Sequence, residues 1–351
     1  MSKLNIGILY GGKSTEHEVS LRSAESVLKA VDHDKYNISL IYISKDGEWM
    51  LSRDSEEIKI LSEDNTEALT LIPSKHLAAG DTPLKLDAVI PVLHGTAGED
   101  GKIQGVLELL DIPYAGCNVR SSAVCMDKDM TKRLLTLQGI DVADGTVIKR
   151  QHRDQVKFEE VKDSFGLPMF IKPVNQGSSV GVSKVTDEKS FYQALDAAFS
   201  FDTKVMIEKG IDGREIEVSV LGNTDIFVSL PGEIISSTEF YSYDSKYIDD
   251  DGAVLQIPAE LSDTVTKKIQ QVAADTFNTL DCEGMARVDV FLTEDDTVIV
   301  NEVNTLPGFT SISMYPKLLE VSGVGYSELI DRLIELAIER HQLESRLKTD
   351  R

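Results

Sequence analysis

Two short segments rich in β-branched residues organise this sequence: Arg287-Val288-Asp289-Val290-Phe291-Leu292 and Val298-Ile299-Val300-Asn301-Glu302-Val303-Asn304. Both alternate polar with apolar residues, which is the period of a β-strand. The connecting residues 293–297, Thr-Glu-Asp-Asp-Thr, are few, charged and suited to a hairpin turn. The sequence therefore predicts an antiparallel hairpin with one polar face.

The polar face of this hairpin is a candidate metal site. If residues 294–297 form the loop, Asp289 lies opposite Glu302 and Arg287 lies opposite Asn304. Carboxylate and amide oxygens that cluster on strands suit a hard cation such as Mg²⁺. A hairpin with one solvated face would show the same pattern. However, the turn-forming residues 305–311 (Thr-Leu-Pro-Gly-Phe-Thr-Ser) follow directly, and loops in such positions often carry sites.

Length and composition restrict the class of protein. A chain of 351 residues suggests two or three domains. The net charge of −23 argues against a nucleic-acid partner, which would require a basic face. The three cysteines form no Cys-x-x-Cys pair, so neither a disulfide framework nor a zinc knuckle is indicated. We expect a cytoplasmic protein without a membrane partner, because a strand pattern begins at Leu4 and no apolar run is long enough to span a bilayer.

The first part of the chain alternates strand and helix patterns. Strands are predicted at residues 5–10, 36–43 and 87–93, and helices at 18–31 and 103–110. This order favours a Rossmann-like, doubly wound parallel sheet with ligands at the carboxyl ends of its strands. Residues 52–75 are polar without a clear period, which we interpret as an excursion or a short hairpin.

Beyond a boundary near residue 120 the pattern changes to α+β. After a helix at 130–138, strands at 169–173 and 180–185 flank a glycine–serine loop, and strands at 205–209 and 215–221 flank the turn 210–213. We interpret both pairs as hairpins. Residues 236–257 form a long aperiodic segment with three tyrosines and a lysine between 240 and 247, which favours a lid. Amphipathic helices are predicted at 191–199, 261–280 and 326–341.

The N-terminal strand ends in a motif that is easily misread. Residues 7–14 match the phosphate-loop pattern G-x-x-x-x-G-K-S, but Gly7 lies inside the strand, where that loop cannot form. The helix N-terminus that follows still favours anions. Thr15 and Glu18 fit a capping box, which leaves Glu16 at the mouth of the loop to bind an ammonium group.

Three further stretches contain residues suited to ligand binding. Lys172 ends a strand before Gly177-Ser178-Ser179, a loop whose backbone amides could approach phosphate, although a flexible hairpin tip looks alike. The strand end at 205–215 could pair with an adenine edge through free backbone groups, and Glu215 could accept from ribose hydroxyls. His94 follows a buried strand, and Asp100 is a plausible N-cap of the next helix.

Together these stretches resemble the D-alanine–D-alanine ligases of the ATP-grasp superfamily. The resemblance covers nearly the whole chain and rests on six stretches in the expected order: 11–21, 94–101, 126–128, 172–181, 240–247 and 287–311. It implies an N-terminal Rossmann-like (pre-ATP-grasp) substrate domain over 1–122 and a two-subdomain ATP-grasp fold. The central subdomain would span 123–209 and the C-terminal one 210–351, with a lid at 236–257 and the metal hairpin at 286–304.

The resemblance also implies a reaction. ATP would phosphorylate one D-alanine, the amine of a second D-alanine would attack the acyl phosphate, and the dipeptide would serve peptidoglycan precursor synthesis. Phosphoryl transfer of this kind depends mainly on positioning and charge neutralisation. We expect ATP as a substrate, two Mg²⁺ or Mn²⁺ ions and a homodimer.

Each predicted site residue then has a role by resemblance. The nucleotide set is Lys128, Lys172, Gly177, Ser178, Ser179, Glu208, Lys209, Ile211, Glu215 and Lys246; the metal set is Asp289, Glu302 and Asn304. Arg287 and the Gly308 N–H would stabilise the oxyanion of the tetrahedral intermediate. Glu16 would hold the first ammonium and Ser313 the second carboxylate, with His94 and Met314 completing the substrate set. A hydrogen-bonded group of Glu16, Ser178 and Tyr247 would close the lid.

Alternative functions remain open. A ligase that joins D-alanine to D-lactate or D-serine is the nearest; relatives that form the ester usually carry histidine or phenylalanine where this chain has Tyr247. Another ATP-grasp carboxylate–amine ligase would share the metal hairpin but not Glu16 or the lid. A nucleotide-binding regulator is disfavoured, because Arg287 and the three metal-site residues are all present.

Overall fold

The computed structural model describes residues 3–52, 54–58, 66–73, 76–236 and 253–348. Within these ranges the strands form three sheets, of seven, four and six strands. Among the same residues, no helix combines the length and apolar character needed to cross a membrane. The predicted lid residues 240–247 lie outside the described chain, so Lys246 and Tyr247 have no structural account.

The first sheet contains strands β1 (Leu4–Gly11), β2 (Tyr36–Ile43), β3 (Trp49–Ser52), β4 (Thr66–Ile72), β5 (His76–Ala79), β6 (Thr82–Leu84) and β7 (Ala88–Val92). Its order is β6-β5-β4-β3-β2-β1-β7, and β1 pairs in parallel with both β2 and β7. The Rossmann-like unit is therefore confirmed for these three strands. The remaining strands pair antiparallel, and within the region predicted as an excursion, residues 66–72 form β4 and extend the sheet.

Two helices beside this sheet begin differently from the prediction. Helix α1 (His17–Ala30) has Glu16 as its N-cap residue and no side-chain cap, so the predicted Thr15–Glu18 capping box is wrong. Glu18 instead forms an ion pair with Lys45, at 2.8 Å. Helix α2 (Lys102–Leu109) has Gly101, not Asp100, at its N-cap, with a φ of 87° that favours glycine.

The middle of the chain builds the four-stranded antiparallel sheet and its helices. The elements are α3 (Val119–Met126), α4 (Lys128–Leu137), β8 (Gly145–Lys149), a 3₁₀ helix (Arg150–Gln155), α5 (Phe158–Phe165), β9 (Met169–Pro173), β10 (Ser183–Val185), α6 (Glu188–Phe201) and β11 (Lys204–Lys209). The strand order is β10-β9-β11-β8. The predicted strand at 180–185 begins only at Ser183, because Ser178, Ser179 and Gly181 have positive φ and form a turn.

The third sheet carries the hairpin that organises the sequence. Its strands are β12 (Arg214–Gly222), β13 (Phe227–Val228), β14 (Gly232–Ser236), β15 (Ala253–Gln256), β16 (Gly284–Leu292) and β17 (Val298–Asn304). The predicted hairpin around residues 210–213 is wrong, because β11 belongs to the second sheet and β12 to the third. The ends of the predicted 236–257 loop are paired strands, β14 and β15.

The remaining helices join the C-terminal part to the first sheet. They are α7 (Asp263–Thr279), α8 (Met314–Val321) and α9 (Tyr326–Glu344). Helix α7 packs on the third sheet, whereas α8 and α9 share one apolar core with α1, β1, β2 and β7. This packing brings the turn after β17 to helix α1 beside the first sheet, where the Phe309 N–H donates to Ser23 Oγ at 3.2 Å.

Candidate active site

The β16–β17 hairpin has the predicted pairing but reaches it by another route. Asp289 lies opposite Glu302 and Arg287 lies opposite Asn304, as the pattern predicted. Leu292 pairs with Val298, so the loop has five residues, 293–297, instead of four. A β-bulge after Asp289 inserts Asn301 and restores the register. As a result, Asn301 and Glu302 both lie partly exposed beside the site.

Arg287 is held by carboxylates on two strands. It forms a two-pronged pair with Asp289, with both N–O distances at 2.7 Å, and its Nε lies 2.9 Å from Glu217 Oε2. Burial opposes its charge, but Asp289 and Glu217 outweigh burial and raise the pKa of Arg287 above its ordinary value. The guanidinium is therefore a fixed positive charge, as an oxyanion-stabilising group requires.

The predicted metal set fits a hard cation in its chemistry. Asp289, Glu302 and Asn304 share one face of the hairpin, and the Asn304 side-chain amide donates to Asp289 at 2.9 Å. Glu302 lies 3.3 Å from the Lys128 ammonium. No group of three or more histidine, cysteine or acidic side chains suited to a metal occurs among the described residues. The predicted set contains only two carboxylates, and its third member is an amide, so it is not a group of that kind. The metal assignment therefore stays a prediction.

A cavity of about 540 Å³ opens between the second and third sheets. Phe170 and Lys172 belong to the second sheet, whereas Phe291 and Glu302 belong to the third. The cavity also contains most of the predicted nucleotide set: Lys128, Lys172, Gly177, Ser179, Glu208, Lys209, Ile211 and Glu215. One feature differs from the prediction, because the N–H groups of Lys209 and Gly210 already donate to backbone carbonyls. A base at this edge would have to use other backbone groups.

The glycine–serine loop covers one end of the cavity. Ser178 and Ser179 have φ values of 50° and 59°, an arrangement uncommon for residues other than glycine that often marks a functional loop. Lys128 holds the loop by donating to the Gln176 carbonyl at 2.8 Å. The cationic end of Lys128 therefore lies between the loop and Glu302 of the β16–β17 hairpin.

Three buried charges stand beside this cavity, and one of them was missed in the sequence. Lys172 Nζ lies 2.5 Å from Glu208, and Lys132 contacts the other oxygen of the same carboxylate. Lys132 is one helical turn after Lys128 on α4, so the i, i+4 spacing of two lysines was the available signal.

Glu16, the N-cap residue of α1, and Ser178 of the glycine–serine loop form the predicted contact. The Ser178 hydroxyl donates to Glu16 Oε1, and Glu16 is only 5% exposed. The backbone at Gly95 lies so close to this carboxylate that a Cβ there would be 2.3 Å from Glu16 Oε2. Only glycine fits at residue 95 without moving Glu16. Two of the three predicted members are therefore in contact, and Tyr247 lies outside the described residues.

His94 links the first sheet to the turn after β17. Its Nδ1 lies 3.0 Å from the Leu306 carbonyl and its Nε2 lies 2.9 Å from Ser23 Oγ. Burial is the main reason that the pKa of His94 falls below its ordinary value. The neutral ring therefore carries its proton on Nδ1, donates to Leu306 and accepts from Ser23. His94 therefore holds the turn after β17 close to helix α1.

The turn after β17 brings Gly308 and Ser313 together. A Cβ at Gly308 would lie 2.7 Å from Ser313 Oγ, and that oxygen accepts from the Thr310 N–H at 3.0 Å. Met314 is 5% exposed and belongs to a small apolar core with Ile234 and Leu318, so its side chain has a packing role. The substrate roles predicted for these residues stay predictions.

Two further acidic residues near the site, Glu99 and Glu217, were not predicted from the sequence. Glu99 accepts from the Gly95 N–H at 2.9 Å, and burial followed by the charge of Glu16 raises its pKa to about 8. Glu217 lies opposite Asp289 on β12. Alternation along that strand, with Glu215 and Glu217 on one face, was a signal for the second of these residues.

Comparison with known proteins identifies one family over most of the chain. The family model described as D-ala D-ala ligase N-terminus matches residues 5–117, and the one described as D-ala D-ala ligase C-terminus matches 134–335. The D-alanine–D-alanine ligase of Oceanobacillus iheyensis is 50% identical over 362 residues, covering 99% of each chain. D-alanine–D-alanine ligase A of Escherichia coli K12 is 48% identical and is covered completely, with 99% of this chain aligned.

Solved structures agree. The D-alanine–D-alanine ligase of Coxiella burnetii matches with a TM-score of 0.89 at 42% identity, covering 99% of this chain and 97% of its own. The VanG D-Ala:D-Ser ligase of Enterococcus faecalis matches with a TM-score of 0.88 at 37% identity, covering 96% and 100%. The match to both family models and the near-complete coverage of these relatives lead to one conclusion: the chain belongs to the D-alanine–D-alanine ligase family and is a ligase of the ATP-grasp type.

Proposed function

We propose that this protein joins two D-alanine molecules into D-alanyl-D-alanine, with conversion of ATP to ADP and phosphate, for peptidoglycan precursor synthesis. ATP phosphorylates the carboxylate of the first D-alanine, and the amine of the second D-alanine displaces phosphate from the acyl phosphate. The observation that carries this proposal is the cavity between the two sheets, because it joins lysines, a glycine–serine loop and the acidic hairpin in one space.

The nucleotide is assigned to this cavity. Lys128 and Lys172 would neutralise its phosphates, and the loop 177–179 would cover them. Apolar side chains including Phe170 and Ile211 suit a base, with Glu215 within the same cavity for the ribose hydroxyls. Mg²⁺ or Mn²⁺, two ions by family resemblance, would be held by Asp289, Glu302 and Asn304 and would supply charge neutralisation between the phosphate oxygens.

The amino acids are assigned to the space between Glu16 and Arg287. Glu16 would bind the ammonium of the first D-alanine, since its buried carboxylate already accepts from Ser178. Arg287 and the Gly308 N–H would stabilise the oxyanion that forms when the second amine attacks. Ser313 would bind the second carboxylate. Tyr247 and Lys246 belong to the proposal through family resemblance alone, as do closure of the lid, a homodimer and a cytoplasmic location.

A stoichiometric assay tests the reaction. Purified protein with ATP and Mg²⁺ should release phosphate only when D-alanine is present, with one dipeptide formed per phosphate. Glu16→Gln should raise the KM for the first D-alanine by about tenfold or more, as loss of a charged hydrogen bond predicts, and leave the KM for ATP unchanged. Phosphate release that is independent of D-alanine would contradict ligase activity.

The same assay separates the second candidate function, which the likeness to a D-Ala:D-Ser ligase supports. With equal concentrations of D-alanine, D-serine and D-lactate, we expect mainly D-alanyl-D-alanine at neutral pH. If D-alanyl-D-serine or the D-lactate ester dominated the products, the second substrate would be D-serine or D-lactate, and the proposed phosphorylation of the first D-alanine would still hold.

A further inference from the structure

Three buried charged side chains form a cluster at one wall of the cavity. Lys132, Lys172 and Glu208 are 7%, 8% and 4% exposed. Glu208 is shared, because Lys172 Nζ lies 2.5 Å from one carboxylate oxygen and Lys132 Nζ contacts the other. Two positive charges and one negative charge leave the cluster with a net charge of +1. A buried excess of positive charge favours an anion nearby.

The two lysines differ in their access to the cavity. Lys172 and Glu208 line it, whereas Lys132 on α4 does not. Strand pairing explains the first two positions: Lys172 on β9 pairs with Met206, and Glu208 lies two residues further along β11, on the same face. Lys132 reaches the carboxylate from the helix. Only Lys172 can therefore turn toward a ligand in the cavity.

If Lys172 binds a phosphate, Glu208 loses one of its two counter-ions and keeps only Lys132. Glu208 is buried, and a buried carboxylate that loses its counter-ion is strongly destabilising. We propose that Lys132 is a positioning residue that neutralises Glu208 when Lys172 turns to the phosphates of the nucleotide. This inference rests on the proposed assignment of ATP to the cavity and adds a residue to it.

The electrostatics of the free protein agree with this role. Burial would raise the pKa of Glu208, but Lys172 and Lys132 together lower it, so the carboxylate is ionised. Burial lowers the pKa of Lys132 to about 8, against the attraction of Glu208. The close contact of Lys132 with Glu208 therefore contributes to the ionisation of this carboxylate in the free protein.

A double-mutant cycle tests the proposal. In Lys132→Met, the phosphates must compete with Glu208 for Lys172, so we expect the KM for ATP to rise by about tenfold or more, with kcat at saturating ATP within about twofold. In a Glu208→Gln background that competition is absent, and Lys132→Met should change the KM for ATP by less than about twofold. A packing role for Lys132 predicts equal losses in both backgrounds, which would overturn the proposal.

Binding measurements by calorimetry add a probe of the phosphate itself. Lys132→Met should raise the Kd for ADP by the same factor by which it raises the KM for ATP. The Kd for adenosine should stay unchanged, because adenosine has no phosphate for Lys172 to bind. Equal weakening of both ligands would contradict the inference. Arg133→Gln, which removes a neighbouring charge that pairs with Asp129 at 2.6 Å, is the matched control and should leave both affinities unchanged.

The design separates the inference from the function on which it rests. If Lys132→Met does not fold, the charge-neutral pair Lys132→Met/Glu208→Gln is compared with Glu208→Gln alone; equal KM values support the proposal and a tenfold difference overturns it. If Lys172→Met weakens ADP binding but Lys132→Met does not, the nucleotide assignment stands and the role of Lys132 fails. If none of the three residues affects ADP binding, both fail.

Discussion

Glu99 shows how a single carboxylate can be stabilised in its neutral form beside a site rich in negative charge. It lies in the loop between β7 and α2, where it accepts a hydrogen bond from the Gly95 N–H at 2.9 Å. Burial disfavours its ionised form most, and the charge of Glu16 adds to that effect, while the same hydrogen bond and Arg287 oppose it. The balance raises its pKa from an ordinary value of 4.5 to about 8.

This shift predicts how stability changes with pH. Below pH 4.5, the folded and unfolded chains both keep the proton on Glu99, so the group does not affect folding. Between 4.5 and 8 only the unfolded chain releases it, so stability falls as the pH rises, and above 8 the full penalty applies. Glu99→Gln should therefore match the parent near pH 4.5 and exceed its free energy of unfolding by about 2–4 kcal/mol at pH 9.

Denaturant unfolding at several pH values between 5 and 9, in metal-free buffer, measures this difference. Glu25→Gln is the control, because Glu25 is an exposed carboxylate on α1 and pairs only with the exposed Lys29 among the described residues. A difference between Glu99→Gln and the parent that stays constant with pH would show that Glu99 is ionised in the folded protein throughout.

Residue types and spacing predicted much of the site, but not the contacts that come from distant parts of the chain. The alternation on the hairpin predicted the pairing of Asp289 with Glu302, and the structure has it. Lys132 and Glu99 were missed because their importance depends on Glu208 and Glu16, which are far away in sequence. The ion pair between Arg287 and Asp289 in the free protein was not predicted either.

At the scale of elements, helix α4 connects stability to the proposed nucleotide site. Its N-cap, Asp127, accepts from the N–H groups of Asp129 and Met130, at 3.1 and 3.0 Å. The helix then presents Lys128 and Lys132 to the site from its first and fifth positions. Asp127 thus fixes the start of an element that carries two of the site's positive charges.

Asp127→Ala should lower the free energy of unfolding by about 1–2 kcal/mol, the usual loss for an N-cap, and should raise the KM for ATP several-fold. The second effect follows because a frayed first turn would move both lysines. Ser262→Ala is the control: Ser262 caps α7 by accepting from the Val265 N–H at 3.3 Å, and α7 carries no predicted site residue. It should lower stability and leave the KM unchanged. Equal KM values for the two variants would contradict the link between cap and site.

A local sequence pattern predicts where a strand begins and ends, but it does not predict to which sheet the strand belongs. The strand at Tyr36–Ile43 was predicted to the residue, because its apolar pattern is local. The turn 210–213 looked like a hairpin, yet it passes from one sheet to another. Strand β11 pairs with β8 and β9, whereas β12 pairs with β13, with β14 and, some 70 residues later, with β16. Pairing over such a distance has no signature in a single sequence, and the cavity proposed for the nucleotide lies where the two sheets meet.

At the scale of the whole molecule, the C-terminal helices complete the N-terminal core. Leu333 and Ile334 on α9 share a core with Ile8 on β1 and Ile90 on β7. Arg340 strengthens the contact by donating to the Gly116 and Tyr114 carbonyls, at 2.5 and 2.8 Å. The N-terminal substrate domain predicted over residues 1–122 therefore relies on helix α9, beyond residue 320, to cover one face of its sheet.

Leu333→Ala should accordingly destabilise the N-terminal sheet, although it lies almost 300 residues from β3. Leu333 is fully buried, and such truncations usually lower the free energy of unfolding by about 2–5 kcal/mol. Trp49 on β3 is the single tryptophan of the chain, so its fluorescence reports on the first sheet alone. We expect Leu333→Ala to lower the unfolding midpoint seen by Trp49 as much as the midpoint seen by far-ultraviolet circular dichroism. Leu195→Ala, in the separate core of the second sheet, should shift the Trp49 midpoint less. If Leu333→Ala left the Trp49 midpoint in place, the first sheet would be stable without α9, and residues 1–122 would fold as an independent unit.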